Sequence, residues 1–148
     1  MVDFKLVLSD AKDGRAYNVS VSGGSANAFL GKRFGDEVDG GPVGLGGYRM
    51  KITGGSDRNG NPMRGDLPGM VRKRVLLSGG VGFHPRLEGE RRRKMTRGNE
   101  ITPEFVQINA VVSAYGEKLL GEYFKKGEEK AGEKAPEEKK SRPAGRKK

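Results

Sequence analysis

The twelve residues from Ile52 to Met63 read Ile-Thr-Gly-Gly-Ser-Asp-Arg-Asn-Gly-Asn-Pro-Met, and the rest of the chain can be interpreted outward from them. Their glycines permit positive φ angles or a close backbone approach, Asp57 and Asn59 are side chains that cap turns, and Pro62 stiffens the exit. The residues Tyr48 to Thr53 alternate as a strand with one buried face would. We therefore expect a strand that delivers a tight, glycine-rich loop.

Clusters of arginine and lysine follow this segment at Arg72–Arg74, at Arg86, and at Arg91–Lys94 together with Arg97. A charge run of unknown context is usually a solvated face or a disordered arm. Two features favour an RNA-binding surface instead. The run from Arg86 to Arg97 lies between predicted strands, and the planar fork of arginine suits bidentate phosphate contacts better than lysine does.

The composition points to one small domain with a polyanionic partner. The 148 residues include 29 Lys or Arg and 19 Asp or Glu, for a net charge of +10, and the excess lies in the second half of the chain. Lysine and arginine placed against phosphates release condensed counterions, which favours nucleic acid as the partner. With 33% hydrophobic residues and no cysteine, the sequence predicts one modest core without disulfides. No signal peptide or membrane-spanning run is apparent, so we expect no membrane partner and a cytoplasmic location.

Alternating patterns predict a mainly β fold, a small β-barrel-like domain in residues 1–124. Strands are expected at Phe4–Leu8 and Arg15–Val21 as a hairpin, and later at Val71–Leu77 and Phe105–Ser113. One helical turn is expected near 22–30, and a short C-terminal helix over 117–124. Residues 125–148 are rich in Lys, Glu, Gly and Pro, so they are predicted to form a disordered basic tail.

Two blocks of this sequence resemble a known family. The segment Ile52 to Met63, with its Ile-Thr-Gly-Gly, Asp57, Gly60 and Pro-Met, is similar to the signature of the archaeal and eukaryotic small-subunit ribosomal protein S6e family. The block Pro85 to Lys94, ending at Arg97-Gly98, resembles the family's arginine-rich segment. The resemblance covers roughly residues 1 to 115, and the short tail looks archaeal.

This resemblance implies a structural constituent of the archaeal 30S subunit, located on the ribosome, with 16S rRNA and neighbouring small-subunit ribosomal proteins as partners. A free RNA-binding or ribosome-assembly factor is the alternative. Recognition of RNA shape and backbone is expected to matter more than base edges. The predicted RNA-binding residues are Arg72, Lys73, Arg74, Arg86, Arg91, Arg92, Arg93, Lys94 and Arg97, followed by Arg58, Arg64, Lys32 and Arg33.

The residues give little support to an enzyme. The loop from Thr53 to Gly60 could form an anion-binding nest of backbone amides, but it lacks the lysine and hydroxyl pair of a P-loop. The single histidine, His84, has neither metal partners nor a cysteine nucleophile to serve. The acidic residues Asp36, Glu37 and Asp39 do not match a calcium loop. We therefore expect no catalytic site, cofactor, metal or small-molecule substrate.

Overall fold

The computed structural model describes residues 2–116, 119–121, 123 and 124, and these residues form two separate β-sheets. The secondary-structure elements, in chain order, are β1 Asp3–Ser9, β2 Ala16–Ser22, helix α1 Gly24–Asn27, β3 Glu37–Asp39, a 3-10 helix Gly41–Val43, β4 Arg49–Asp57, β5 Arg72–Leu77, β6 Arg92–Arg97 and β7 Phe105–Ala114. The predictions of a mainly β chain and of a helical turn near residue 25 are confirmed.

The larger sheet has five strands in the order β2-β1-β7-β4-β3. All neighbours are antiparallel except β1 and β7, which run parallel. The predicted hairpin of β1 and β2 is confirmed, and Gly14, with φ of 66°, donates to the Asp10 carbonyl in its turn. Since β2 and β3 are the sheet's two edges in the described residues, the sheet is a curled half-barrel and not a closed one.

The core lies on one face of this sheet. Met50 and Ile52 face inward, as the alternation of their strand predicts. Alternation along β7 predicts one row of Val106, Ile108, Ala110 and Val112, but Val106 is 42% exposed while Phe105 is buried. A register shift between β4 and β7 at this end of the strands changes the side-chain alternation there. The other buried apolar residues of the sheet are Phe4, Leu6, Leu8, Val21, Val38, Ile108, Ala110 and Val112.

The smaller sheet is an antiparallel ribbon of β5 and β6, which we call the ribbon. Its first strand was predicted, but β6 was not, since the run Arg91 to Arg97 was interpreted as a basic segment between strands. That run holds only one large apolar residue, Met95, so it shows no hydrophobic alternation. The hydrogen-bond ladder with β5 makes it a strand.

The signature segment is more regular than the sequence predicts. Strand β4 continues to Asp57, so Gly54 and Gly55 lie within the sheet, at a register shift, and not in a loop. The turn is confined to residues 58–61. It is closed by a hydrogen bond of 2.9 Å from the Gly60 amide to the Asp57 carbonyl, with Gly60 at φ of 76°. Met63 then donates to the Gly55 carbonyl at 2.9 Å, so the chain returns along β4.

Replacing Gly55 with alanine should destabilise the protein by about 1–3 kcal/mol, the usual cost of overpacking. A Cβ at this position would lie 2.6 Å from the Gln107 carbonyl oxygen and 3.2 Å from the Phe105 ring. A matched control is Gly46→Ala, since a Cβ at Gly46 meets nothing within 4 Å. Urea unfolding of the two variants checks the prediction, and equal midpoints would contradict it.

The predicted C-terminal helix extends over residues that the structure does not describe, and so does the predicted tail. Both stay predictions. Residues 120, 121, 123 and 124 have helical backbone.

Candidate nucleic-acid interface

The signature segment joins the ribbon to the larger sheet. The amide of Arg97, at the end of β6, donates to the Pro62 carbonyl at 2.9 Å, and the Arg64 amide donates to the Arg97 carbonyl at 3.1 Å. Since Met63 is hydrogen-bonded to Gly55 of β4, residues 62–64 lie between β4 and β6 and bond to both. This arrangement fixes where the ribbon projects from the domain.

A cluster of charged side chains stabilises the same junction between the ribbon and the larger sheet, which we call the joint. Asp57 Oδ2 lies 3.1 Å from Nη1 of Arg97 and 2.6 Å from Nε of Arg72. Glu104 forms ion pairs with both arginines, and its carboxylate lies 2.9 Å from Arg72 Nη2. Arg97 Nη2 also donates a hydrogen bond of 2.6 Å to Thr102 Oγ1. We call Asp57, Arg72, Arg97 and Glu104 the ion cluster. It links β4, β5, β6 and the segment that precedes β7.

The ribbon's register explains why the carboxylates are needed. Arg72 and Arg97 are direct cross-strand partners, and like charges at such positions repel each other. Asp57 and Glu104 balance them, two negative charges against two positive. Contact with Arg97, through its hydrogen bond and its charge, lowers the pKa of Glu104 below the ordinary value. Glu104 therefore stays ionised and keeps both arginines paired at neutral pH.

Burial distinguishes Arg97 from the rest of the basic block. Its side chain is 4% exposed and that of Asp57 is fully buried. Among the described residues, Arg97 Nε has no hydrogen-bond acceptor, but the guanidinium carbon lies 5.5 Å from the centroid of the Phe105 ring. Arg72 Nε is close to Asp57 without an aligned N–H, so that contact is an ion pair and not a hydrogen bond. Arg97 is a structural residue of this joint.

The structure separates the predicted RNA-binding residues into two groups. Arg97 is buried, Arg72 is one-third exposed, and Arg64 is held by Asp66 through Nε at 2.9 Å and Nη2 at 2.7 Å. This pairing raises the pKa of Arg64 and lowers that of Asp66. The exposed predicted residues are Lys73, Arg74, Arg86, Arg91, Arg92, Arg93 and Lys94, together with Arg58, Lys32 and Arg33.

Both faces of the ribbon carry exposed positive charge. Cross-strand pairing places Lys73, Lys94 and Arg92 on one face, and Arg74 with Arg93 on the other. The alternation of Val71–Leu77 taken alone predicts one basic outer face with Arg72 and Arg74, and pairing with β6 adds basic side chains on both faces. Between residues 72 and 97 the chain has nine Lys or Arg and two Glu, so this segment carries a net charge of +7.

The loop that connects β5 to β6 adds a basic cleft of about 400 Å³. Glu90 fixes its shape, since it accepts a hydrogen bond of 2.9 Å from the Arg86 amide and lies 2.5 Å from Arg92 Nε. The first of these contacts is the main reason that the pKa of Glu90 is lowered. Arg86, Arg92 and Lys94 line the cleft together with His84. Three predicted RNA-binding residues are thus brought together at one place.

Two further features, a metal-binding group and a membrane-spanning helix, are absent from the described residues. In ranges 2–116, 119–121 and 123–124 there is no group of three or more His, Asp or Glu placed to hold a metal ion. No helix within that part of the chain is long and apolar enough to cross a membrane.

Comparison with known proteins shows the family of this chain. The family model of ribosomal protein S6e matches residues 4–125. Proteins named small ribosomal subunit protein eS6 are similar along most of their length. That of Methanoregula boonei is 62% identical over 128 residues, 86% of this chain and 90% of the relative. That of Methanocella arvoryzae is 60% identical, over 89% and 93%, and that of Archaeoglobus fulgidus is 51% identical, over 86% and 100%. The chain belongs to the ribosomal protein S6e family.

Proposed function

We propose that this protein is a structural constituent of the archaeal small ribosomal subunit that binds 16S rRNA and takes part in translation, on the ribosome in the cytoplasm. The observation that carries the proposal is the ribbon, a two-stranded projection with exposed arginine and lysine on both faces. Family membership supports the same function, because the relatives are named as small-subunit proteins. In this role the protein has no catalytic step to perform.

The ribbon's geometry suits binding between RNA helices. A two-stranded projection that is basic on both faces can contact phosphates on two sides at once. Each phosphate contact releases counterions, so the affinity should fall steeply with salt. The ion cluster supports this binding indirectly, since it holds the ribbon at a fixed position on the domain.

The proposed contacts follow the exposure of the side chains. In the ribbon and its loop they are Lys73, Arg74, Arg86, Arg91, Arg92, Arg93 and Lys94, with Arg58, Lys32 and Arg33 in second place. We assign Arg97 and Arg72 to the ion cluster and Arg64 to its pair with Asp66, and do not count them among the leading contacts. Residues 1–124 are proposed as the rRNA-binding domain and 125–148 as a charged tail, with neighbouring small-subunit proteins as further partners.

Sedimentation of native extract tests this function. The protein should co-sediment with the small subunit on a sucrose gradient, in nearly one-to-one amount, and should remain there after a high-salt wash. An integral constituent is retained because many contacts act together, whereas a free RNA-binding or assembly factor is shed or found only on precursor particles. The second result would favour that alternative.

A further inference from the structure

A second cleft, of about 480 Å³, borders the signature segment. Its lining includes Phe34, whose side chain is 45% exposed, and Val81, which is 59% exposed. The Phe34 ring has a fixed position, because it lies so close to Gly65 that a Cβ there would be 2.8 Å from the ring. The cleft therefore offers a flat aromatic surface that is held in place and accessible.

Two amide side chains of β7, Gln107 and Asn109, line the same cleft, and we call it the amide cleft. Gln107 Nε2 donates to Asn109 Oδ1 at 2.8 Å. This bond leaves the Oε1 atom of Gln107 as an acceptor and the Nδ2 atom of Asn109 as a donor. Even if both amides were rotated, one donor and one acceptor would remain. The cleft thus presents a hydrogen-bonding pair beside an aromatic ring.

The charge of the amide cleft differs from that of the ribbon. Its only ionised side chains, within the described residues, are Arg64 and Asp66, which form a bidentate pair with each other. The lining is therefore neutral overall, and both charges are already satisfied. A phosphate gains little from such a site, whereas a flat, uncharged ring with donors and acceptors on its edge matches it.

We propose that the amide cleft takes one unpaired nucleobase of rRNA, stacked against Phe34 and hydrogen-bonded along its edge to Gln107 and Asn109. This inference rests on the RNA-binding function proposed above. Unpaired RNA bases are commonly recognised by aromatic stacking together with hydrogen bonds to their edges. An exposed lysine, Lys5 of β1, stands opposite Gln107 in the sheet and can pair with the phosphate of the same nucleotide.

Salt-dependent binding separates this contact from the ribbon's contacts. Phe34→Ala should weaken binding of the full chain to a 16S rRNA transcript about 5- to 150-fold, the equivalent of one base stack of about 1–3 kcal/mol. The slope of log K against log salt should not change, because stacking releases no counterions. Phe34→Tyr keeps the ring and should bind as the native chain does. Val106→Ala is the control, since Val106 of β7 is similarly exposed but does not line the cleft.

Chemical probing locates the base itself. Dimethyl sulfate and a carbodiimide together report the pairing edges of all four bases. With saturating native protein, one unpaired nucleotide should be protected. That protection should be lost with saturating Phe34→Ala, while the protection of the RNA backbone by the ribbon, measured with hydroxyl radicals, should persist.

The outcomes distinguish the two proposals. If the native chain binds 16S rRNA and Phe34→Ala binds with equal affinity and an identical protection pattern, the amide cleft holds no base, and a neighbouring protein is the better occupant. If the native chain does not bind rRNA at all, the proposed function itself fails and this inference fails with it. Circular dichroism and thermal melting confirm that each variant is folded before either conclusion is drawn.

Discussion

Replacing Asp57 with alanine should destabilise the domain by about 3–5 kcal/mol, the usual cost of removing one partner from a buried ion pair. The substitution leaves Arg97 buried with only Glu104 and Thr102 as partners. It also leaves Arg72 and Arg97 facing each other across the ribbon with half of the compensating charge removed. Equilibrium unfolding in urea measures the loss.

Asp66→Ala is the matched control for this result. Asp66 also forms an ion pair with an arginine, but its side chain is 61% exposed, so its removal should cost no more than about 1 kcal/mol. The double variant Asp57→Ala, Arg97→Met should be less destabilised than the sum of the two single variants, because it no longer contains the unpaired buried cation. Equal losses for Asp57→Ala and Asp66→Ala would show that the ion cluster does not hold the joint.

Sequence patterns predicted the larger sheet well, because its strands have one buried face. Alternation places β1, β2 and β7 of this sheet, and β5 of the ribbon, within a residue or two of their observed bounds, whereas the short edge strand β3 was not predicted. Strand β4 ends four residues later than predicted, since Gly54 and Gly55 argue for a loop by composition. In the structure, position 55 requires glycine because a Cβ there would clash with the carbonyl oxygen of Gln107, which is more than fifty residues away along the chain.

The position of Arg97 could not be derived from the sequence in the same way. It follows the basic run Arg91–Lys94 after only Met95 and Thr96, and the basic residues look alike when β6 is not recognised as a strand. What separates Arg97 from its neighbours is pairing with Asp57, 40 residues earlier, and with Glu104. The carboxylates that capture Arg97 belong to other elements.

The signature segment has a structural role that differs from the glycine-rich loop predicted from the sequence. It does not form an open anion-binding loop. Its glycines fit the close packing of β4 on β7 and the tight turn, Asp57 binds the two ribbon arginines, and Pro62 accepts the hydrogen bond from the end of β6. The segment positions an RNA-binding ribbon, and it lines the amide cleft on its other side.

The largest effect on RNA binding is expected from the triple variant in which Arg91, Arg92 and Arg93 become alanine. Each contact with a phosphate contributes about 0.9 to the salt slope, so three lost contacts should lower the slope by about 2–3 and the affinity at 0.1 M salt by about two to three orders of magnitude. The three side chains are exposed, and Arg91 and Arg93 form no ion pair within the described residues, so the fold should persist. Filter binding to a 16S rRNA transcript over a range of salt concentrations measures both quantities.

Removal of an equal number of positive charges from residues 125–148 provides the decisive comparison. The variant with Arg146, Lys147 and Lys148 replaced by alanine loses three positive charges that lie outside the described residues. If net charge alone governs binding, the two triple variants lose equal affinity and equal slope. If the ribbon fits a particular arrangement of phosphates, as the fixed joint at Asp57 and Arg97 implies, the variant at 91–93 loses much more. Equal losses would therefore reject an ordered binding surface and leave only a general attraction between a basic chain and RNA.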